Sequence, residues 1–339
     1  MNIKSLLLGS AAALAVVSGA HAADAIVAAE PEPLEYVRIC DAYGAGYFYI
    51  PGSETCLKIG GMIRNDTYWH DAYNPFGAFG TKNYTRAELS FNSATDTEYG
   101  PLKTATTLRF NYSEGVNSDA SPLIAYISLG GFLIGRQDSQ YNEYMGYAGN
   151  VINDDVIGDG PYELNQLTYS YDSGTGFTGV ISLEDSYSSV AYDHYAPDVV
   201  AGLGYKAGAF GIKVAGGYDS VAEEGAVKVR LDADFGTVSA FLMGAWNTDG
   251  NTTNKYANGD PFGTTGDWAV WGGGTAKFSE KLSWNVQLAY ADNKTFEATT
   301  NLAFFPVKGL KLQPEITYVN YDNVDKSVWA GVLRVQRNF

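Results

Sequence analysis

Alternation of apolar and polar side chains is the feature of this chain that most constrains its fold. From Leu57 to Phe339 the sequence consists largely of runs of about ten residues that change polarity at every step. A period of two is typical of β-strands with one apolar and one polar face. Clear runs begin at Thr85, Leu102, Val227 and Leu282. Sixteen runs are present, starting near residues 57, 84, 101, 123, 131, 164, 176, 198, 209, 226, 237, 267, 282, 295, 310 and 328.

The connectors between these runs alternate in length. Tight turns are predicted at 130–131, 172–175, 206–208 and 279–281. The alternation predicts that one end of the sheet carries turns and the other carries loops. An even number of strands then places both chain ends at the turn end. Longer polar connectors occupy 66–82, 113–121, 137–161, 185–197 and 247–266.

Sixteen amphipathic strands can bury their apolar faces in two ways. A soluble sandwich would cover each face with a second sheet about 10 Å away, and the sequence supplies no such layer. A closed membrane barrel places the apolar faces against lipid and the polar faces around water. Aromatic residues near the strand ends fit this second arrangement. The pattern therefore predicts an all-β fold, a 16-stranded antiparallel transmembrane β-barrel over residues 57–339.

Composition and the N-terminus restrict the location and the partners. The formal net charge of −16 argues against nucleic acid as a partner, because phosphate binding needs a basic face. Lys4, the apolar stretch 6–17 and the small residues around His21 predict a removable signal peptide over residues 1–22. An N-terminal core helix is the alternative. Residues 23–56 then form an extension ahead of the barrel.

Export of the chain permits a disulfide between its two cysteines, Cys40 and Cys56. In the chain-entropy model, closing the intervening segment contributes about 3 kcal/mol. A metal site is the alternative, although neither cysteine has a nearby histidine. The disulfide is the preferred interpretation.

Several segments resemble a known family over essentially the whole predicted mature chain. The N-terminal stretch 23–61 is similar to that of the general-diffusion porins of alphaproteobacteria, as are VINDDVIGDG, APDVVAGLGY, GDWAVWGG and the closing GVLRVQRNF. The resemblance implies a homotrimer in the bacterial outer membrane, in contact with lipid and lipopolysaccharide. It also implies a third external loop that folds inward, passive diffusion of small hydrophilic solutes and ions, and a role for the terminal Phe339 as an assembly signal.

Charges in the longest connector suggest how such a channel selects solutes. The predicted constriction loop 137–161 contains acidic residues and no Lys or Arg. Water-facing positions of the first three strands carry basic residues, and adjacent strands lie about 4.8 Å apart. An inward-folded loop would therefore face a basic wall and create a transverse field. The acidic candidates are Asp138, Glu143, Asp154, Asp155 and Asp159, and the basic candidates are Arg64, Arg86, Lys103 and Arg109.

Other interpretations of these charges stay open at this point. The Asp154–Asp155 pair also fits a solvated loop or a calcium site. Arg86 and Arg109 could instead form ion pairs within the wall, with Glu88 or Asp232 as partners. Lys228, Arg230 and Arg334 face inward by the same alternation, at unknown height.

Catalysis is not expected. Of three histidines, His21 leaves with the signal peptide, and His70 and His194 fall in predicted loops without a nucleophile motif. No cofactor and no metal are expected. An adhesin or a structural barrel without an open pore is the alternative function.

Overall fold

The structure is a computed structural model that describes residues 37–70, 80–113, 115–117, 120–186, 195–248, 254–257 and 267–339. The predicted signal peptide and His194 lie outside these ranges. Residues Ile39–Phe339 form one compact unit.

The described residues of this unit form one antiparallel sheet of eighteen strands. Two of the strands contain only two residues each, Phe48–Tyr49 and Val116–Asn117. The other sixteen, named here in chain order, are β1 (Cys56–His70), β2 (Gly80–Thr95), β3 (Leu102–Ser113), β4 (Ser121–Leu129), β5 (Phe132–Asp138), β6 (Glu163–Asp172), β7 (Phe177–Glu184), β8 (Asp198–Ala207), β9 (Phe210–Asp219), β10 (Glu224–Asp234), β11 (Val238–Asn247), β12 (Trp268–Ser279), β13 (Leu282–Ala291), β14 (Thr295–Val307), β15 (Leu310–Tyr321) and β16 (Lys326–Asn338).

The sheet closes on itself through its first and last long strands. β16 pairs antiparallel with β1, from Ala330 opposite His70 to Asn338 opposite Met62. Beyond the last paired residues, Phe339 N donates to Gly61 O at 3.1 Å, and Gly61 N donates to Phe339 O at 3.0 Å. Closure pairs the edges that an open sheet would expose. The predicted 16-stranded antiparallel barrel is confirmed.

Alternation along each strand separates an apolar outer face from a polar inner face. On the outer face, Ile134, Leu203 and Leu242 are more than half exposed. On the inner face of β13–β15, by contrast, polar side chains are buried, among them Asn285, Gln287, Thr299, Asn301, Glu315 and Thr317. The outer surface of the barrel is therefore apolar, as a membrane-spanning barrel requires. Among the described residues, none of the helices has the length and apolar character to cross a membrane.

The connectors follow the predicted two-ended arrangement. Turns at one end are short, as at Gly130 and Gly131, which take φ values of 58° and 89° that favour glycine. The longest connector at the other end runs over 139–162, because Asp138 still belongs to β5 and β6 begins at Glu163. His70 is the last residue of β1 rather than part of a loop.

The extension ahead of the barrel is held by the predicted disulfide. Cys40 and Cys56 are bonded, with their Cα atoms 6.1 Å apart, and both side chains are buried. Since Cys56 is the first residue of β1, the disulfide fastens residues 40–55 to the turn end of the barrel. Thr55 adds a hydroxyl contact of 3.1 Å with Thr95 of β2. The disulfide prediction is confirmed.

Deleting Phe339 tests how closure depends on the last residue. The deletion removes both hydrogen bonds to Gly61, each worth about 1 kcal/mol net in water and more where water is absent. We expect a lower yield of folded barrel and unchanged conductance of those molecules that insert, measured by heat-modifiable mobility on gels and by single-channel recording. A yield equal to that of the unaltered chain would contradict this expectation.

Candidate constriction site

The connector between β5 and β6 folds into the lumen and lies against the inner wall. It begins with a short helix, Gln140–Glu143, whose N-cap Ser139 accepts a hydrogen bond from Tyr141 N. Two basic side chains of the wall then bind its backbone. Lys213 Nζ on β9 donates to Tyr144 O at 2.6 Å, and Arg230 Nη1 on β10 donates to Tyr147 O, also at 2.6 Å.

Lys228 joins the two ends of this connector. Its side chain on β10 is fully buried, and Nζ donates to Asn142 Oδ1 at 2.6 Å and to Tyr141 O at 3.2 Å. Nζ also bonds Asp159 O and lies 3.7 Å from Asp159 Oδ2. One wall cation therefore binds the start and the end of the loop. The oxygen acceptors around its buried ammonium group offset the cost of removing that group from water.

An acidic side chain of the wall holds the middle of the connector. Glu315 of β15 accepts hydrogen bonds from Ile152 N at 2.5 Å and from Asn153 N at 2.9 Å. Asn301 Nδ2 on β14 donates to Glu315 at 2.8 Å and to Asn150 O at 3.0 Å. These bonds fix the backbone immediately before Asp154 and Asp155, so both acidic residues have a defined position in the lumen.

Apolar packing reinforces the polar tethers. Val156 packs with Val319, Tyr321 and Val328 near the β15–β16 end of the wall. Two further clusters bury other apolar side chains of the connector. One joins Ala148 and Ile157 to Phe241, Met243, Ala245, Ala269, Trp271, Ala289 and Ala291, and the other joins Tyr141 and Met145 to Val200, Ala215, Ala226 and Tyr256.

The uncovered part of the lumen contains a cavity of about 780 Å³. Basic and aromatic side chains of β16 and β1–β3 line one side of it. The connector and its flanking strand ends line the other. Charged and aromatic lining residues are Arg64, Asp66, Tyr68, His70, Lys82, Tyr84, Arg86, Arg109 and Arg334 on the first side, and Asp138, Asp154, Asp155, Tyr162 and Glu163 on the second.

Strand register brings the basic side chains together. Arg64 lies directly opposite Arg86 in the β1–β2 pair. Arg64 Nε donates to Gln336 Oε1 at 2.8 Å, and Arg86 Nε donates to Asn111 Oδ1 at 3.0 Å. The main hydrogen-bond partners of these two guanidinium groups are therefore neutral amides.

Two other arginines of this wall, Arg334 and Arg109, form closer ion pairs. Arg334 binds Asp66 through two hydrogen bonds of 2.8 and 2.9 Å. Arg109 Nε lies 2.6 Å from Glu88 Oε1, and Arg86 Nη1 is 3.9 Å from the same oxygen. The wall pairing with Glu88 that the sequence left open is present, whereas Asp232 pairs with Arg230.

Tyrosines organise the acidic side of the cavity. Tyr147 donates to Asp138, Tyr162 donates to Asp155, and the two rings stack with centroids 6.2 Å apart. Enclosure by protein raises the pKa of the Asp154 carboxyl above its ordinary value, and the charge of Asp155 raises it further. Enclosure likewise raises the pKa of Asp155, against the bond from Tyr162.

The structure brings six of the nine charged candidates to this cavity: Asp138, Asp154, Asp155, Arg64, Arg86 and Arg109. The other three lie elsewhere. Asp159 is buried against Lys228, and Glu143 is exposed on the short helix, 3.0 Å from the Tyr147 hydroxyl. Lys103 is six residues before Arg109 on β3, which places it about 20 Å nearer the turn end.

Other lining residues were not selected from the sequence, although the alternation contains them. Tyr68 and His70 share the inward parity of Arg64, and Lys82 and Tyr84 share that of Arg86. The alternation along a strand shows which residues face the lumen. Which of these residues line the cavity depends on how far along the barrel axis the connector lies. Among the described residues, no group of three or more His, Cys, Asp or Glu side chains could hold a metal ion.

Comparison with known proteins agrees with this architecture. A family model described as a porin subfamily matches residues 24–337. The chain belongs to this porin family. It is 42% identical to Porin Omp2a of Brucella suis biovar 1 over 372 aligned positions, covering 100% of both chains.

Solved structures share the fold at low sequence identity. The outer membrane channel DcaP of Acinetobacter baumannii is 17% identical, with a TM-score of 0.66 over 86% of this chain and 99% of that one. The anion-selective porin from Comamonas acidovorans is 13% identical, with a TM-score of 0.61 over 84% of this chain and 100% of that one. The porin described here is therefore a bacterial outer-membrane protein that crosses the bilayer by β-strands, and family membership indicates a channel rather than an enzyme.

Replacing Lys228 tests whether the wall holds the connector of this porin. Lys228→Met leaves the buried Asp159 carboxylate without its cation, a change that costs about 3–5 kcal/mol in comparable buried pairs. We expect a lower midpoint of urea unfolding in detergent. Lys206→Met, at an exposed position on β8, is the matched control. Equal midpoints for the two variants would show that Lys228 contributes no such tether.

Proposed function

We propose that this porin is a passive channel for small hydrophilic solutes and ions, narrowed by an acidic connector that faces a basic wall. The observation that supports the proposal is the cavity of about 780 Å³ between Arg64, Arg86 and Arg109 on one side and Asp154 and Asp155 on the other. Separated fixed charges across a water-filled gap create a transverse field. That field orients dipolar solutes and lets cations and anions follow opposite walls.

The two sides of the gap carry different amounts of free charge. Arg334 and Arg109 have close carboxylate partners in Asp66 and Glu88, so their charges are largely compensated. Arg64 and Arg86 have mainly amide partners, and they supply the positive field of the wall. On the acidic side, Asp154 and Asp155 supply a negative field whose strength depends on their protonation.

Assembly follows the resemblance to general-diffusion porins. Residues 1–22 are removed as a signal peptide, residues 23–56 form an extension, and residues 57–339 form the barrel with its constriction loop. Three copies associate in the outer membrane, in contact with lipid and lipopolysaccharide. Phe339 serves as the assembly signal, which is consistent with its place at the β16–β1 seam.

Neutralising the two sides of the gap separately tests the field. Asp154→Asn with Asp155→Asn removes negative charge, so ion selectivity should shift toward anions. Arg86→Gln with Arg109→Gln should shift it toward cations. We expect reversal-potential changes on the order of 10 mV, out of about 59 mV for ideal selectivity in a tenfold salt gradient.

The same substitutions separate the field from the channel itself. Lys103→Gln, at an exposed turn-end position of β3, is the matched control and should leave the reversal potential unchanged. If both double variants conduct with the reversal potential of the unaltered porin, the charge-separated constriction is wrong although the channel is real.

The raised pKa values of Asp154 and Asp155 predict that the ion selectivity of the channel depends on pH. Asp154 and Asp155 stay protonated to higher pH than ordinary carboxyls do, because enclosure disfavours their charged forms. Cation preference should therefore increase as pH rises from about 4 to about 9, including the range above the ordinary carboxyl pKa. Reversal potentials recorded across this range measure the effect. The Asp154→Asn, Asp155→Asn variant should give a flatter profile, and an identical profile would rule out these two carboxyls as its source.

A further inference from the structure

A second segment of the chain reaches the lumen and contacts the constriction connector. Residues 254–257 belong to the connector between β11 and β12, yet they are bound by residues of β7–β9. Lys255 N donates to Asp219 Oδ2 at 2.9 Å, and Lys255 Nζ lies 2.6 Å from Asp198 Oδ2. The segment 254–257 therefore lies on the inner side of the barrel wall.

Tyr256 is the residue of this segment that meets the constriction connector. Its side chain is fully buried, and its ring stands edge-on to the ring of Tyr141 with centroids 5.4 Å apart. The Tyr256 ring packs directly over Gly217 of β9. A Cβ atom at Gly217 would lie 2.6 Å from Tyr256 Cγ, closer than side chains pack. The wall is thus shaped to admit an aromatic ring at this position.

Glu184 connects Tyr256 to the start of the constriction connector. Its buried carboxylate on β7 accepts a hydrogen bond from the Tyr256 hydroxyl at 2.9 Å. The same carboxylate accepts from Ser139 Oγ at 2.7 Å and from Gln140 N at 2.9 Å. Removing Tyr256 would therefore expose the Tyr141 ring and take one of three donors from a buried carboxylate.

We propose that Tyr256 is a positioning residue, which locks the first turn of the constriction connector against the wall and so keeps the channel in one conducting state. This inference rests on the proposed role of the connector in setting conductance. The lock acts on residues 139–145, which precede Asp154 and Asp155 in the connector. Once it is lost, the tethers at Lys228 and Glu315 remain, so the connector would fluctuate rather than leave the lumen.

A single added methyl group provides the sharpest test. Gly217→Ala places a Cβ under the Tyr256 ring and should displace it, since tightly packed sites do not absorb such volume without shifts. Gly216→Ala is the matched control, because the nearest atom to its new Cβ is 3.8 Å away. We expect amide hydrogen exchange of residues 139–146 to become about tenfold faster in Gly217→Ala only. Single-channel records of the same variant should show added subconductance levels.

Tyr256→Ala keeps the inference testable if Gly217→Ala fails to fold. Folding of each variant is checked by heat-modifiable gel mobility, and Tyr195→Ala, at a fully exposed position, controls for loss of a tyrosine. Exchange and conductance equal to those of the control variants would overturn the lock. Faster exchange with unchanged conductance would also overturn the inference, because the first turn would then loosen without changing the conducting state. The proposed function is tested separately by the selectivity response of Asp154→Asn, Asp155→Asn, which does not depend on Tyr256.

Discussion

The absence of water in a bilayer is the constraint on which this structure depends. A backbone amide or carbonyl left unpaired in the hydrocarbon layer costs several kcal/mol, so a sheet that crosses the membrane has to close. The β16–β1 pairing, continued by the bonds between Phe339 and Gly61, completes that closure. Once the ring is closed, the outer surface must be apolar and the inner surface becomes free to carry charge, which is the basis of the proposed transport.

Closure also creates the lumen into which the connector 139–162 folds. In the part of the chain that the structure describes, the inner wall from β6 to β16 holds the connector, and alanines and glycines there admit its bulkier side chains. The water-filled route is consequently displaced toward β16 and β1–β3, where the arginines are concentrated. Packing on one side of the lumen and charge on the other are two results of a single asymmetric arrangement.

Much of the fold follows from the sequence because its causes are local. The period of two, the alternating connectors and the pair Cys40–Cys56 predicted the strands, their count and the disulfide. The site depends on a distance that no local pattern encodes. The inward-facing cations include Arg86, Lys103 and Lys228. The position at which the connector meets the wall makes Arg86 a lining residue of the cavity and Lys228 a buried tether. Lys103 lies too near the turn end to meet the connector. The small inward residues of β9–β13, such as Ala215 and Ala289, are the signal in the sequence that marks the covered wall. Residues 254–257 carry no comparable signal.

Pairing of β1 with β16 has a consequence for biogenesis. Arg64 and Gln336, which touch across the seam, are 272 positions apart in the chain. During export β1 is translocated early, and one of its edges stays unpaired until the last strand has followed. Such a topology folds slowly and favours association with other chains. Cys40 and Cys56, by contrast, are 16 positions apart and can be oxidised as soon as both have reached the periplasm. The covalent loop can therefore form well before the strand beside it acquires its partner.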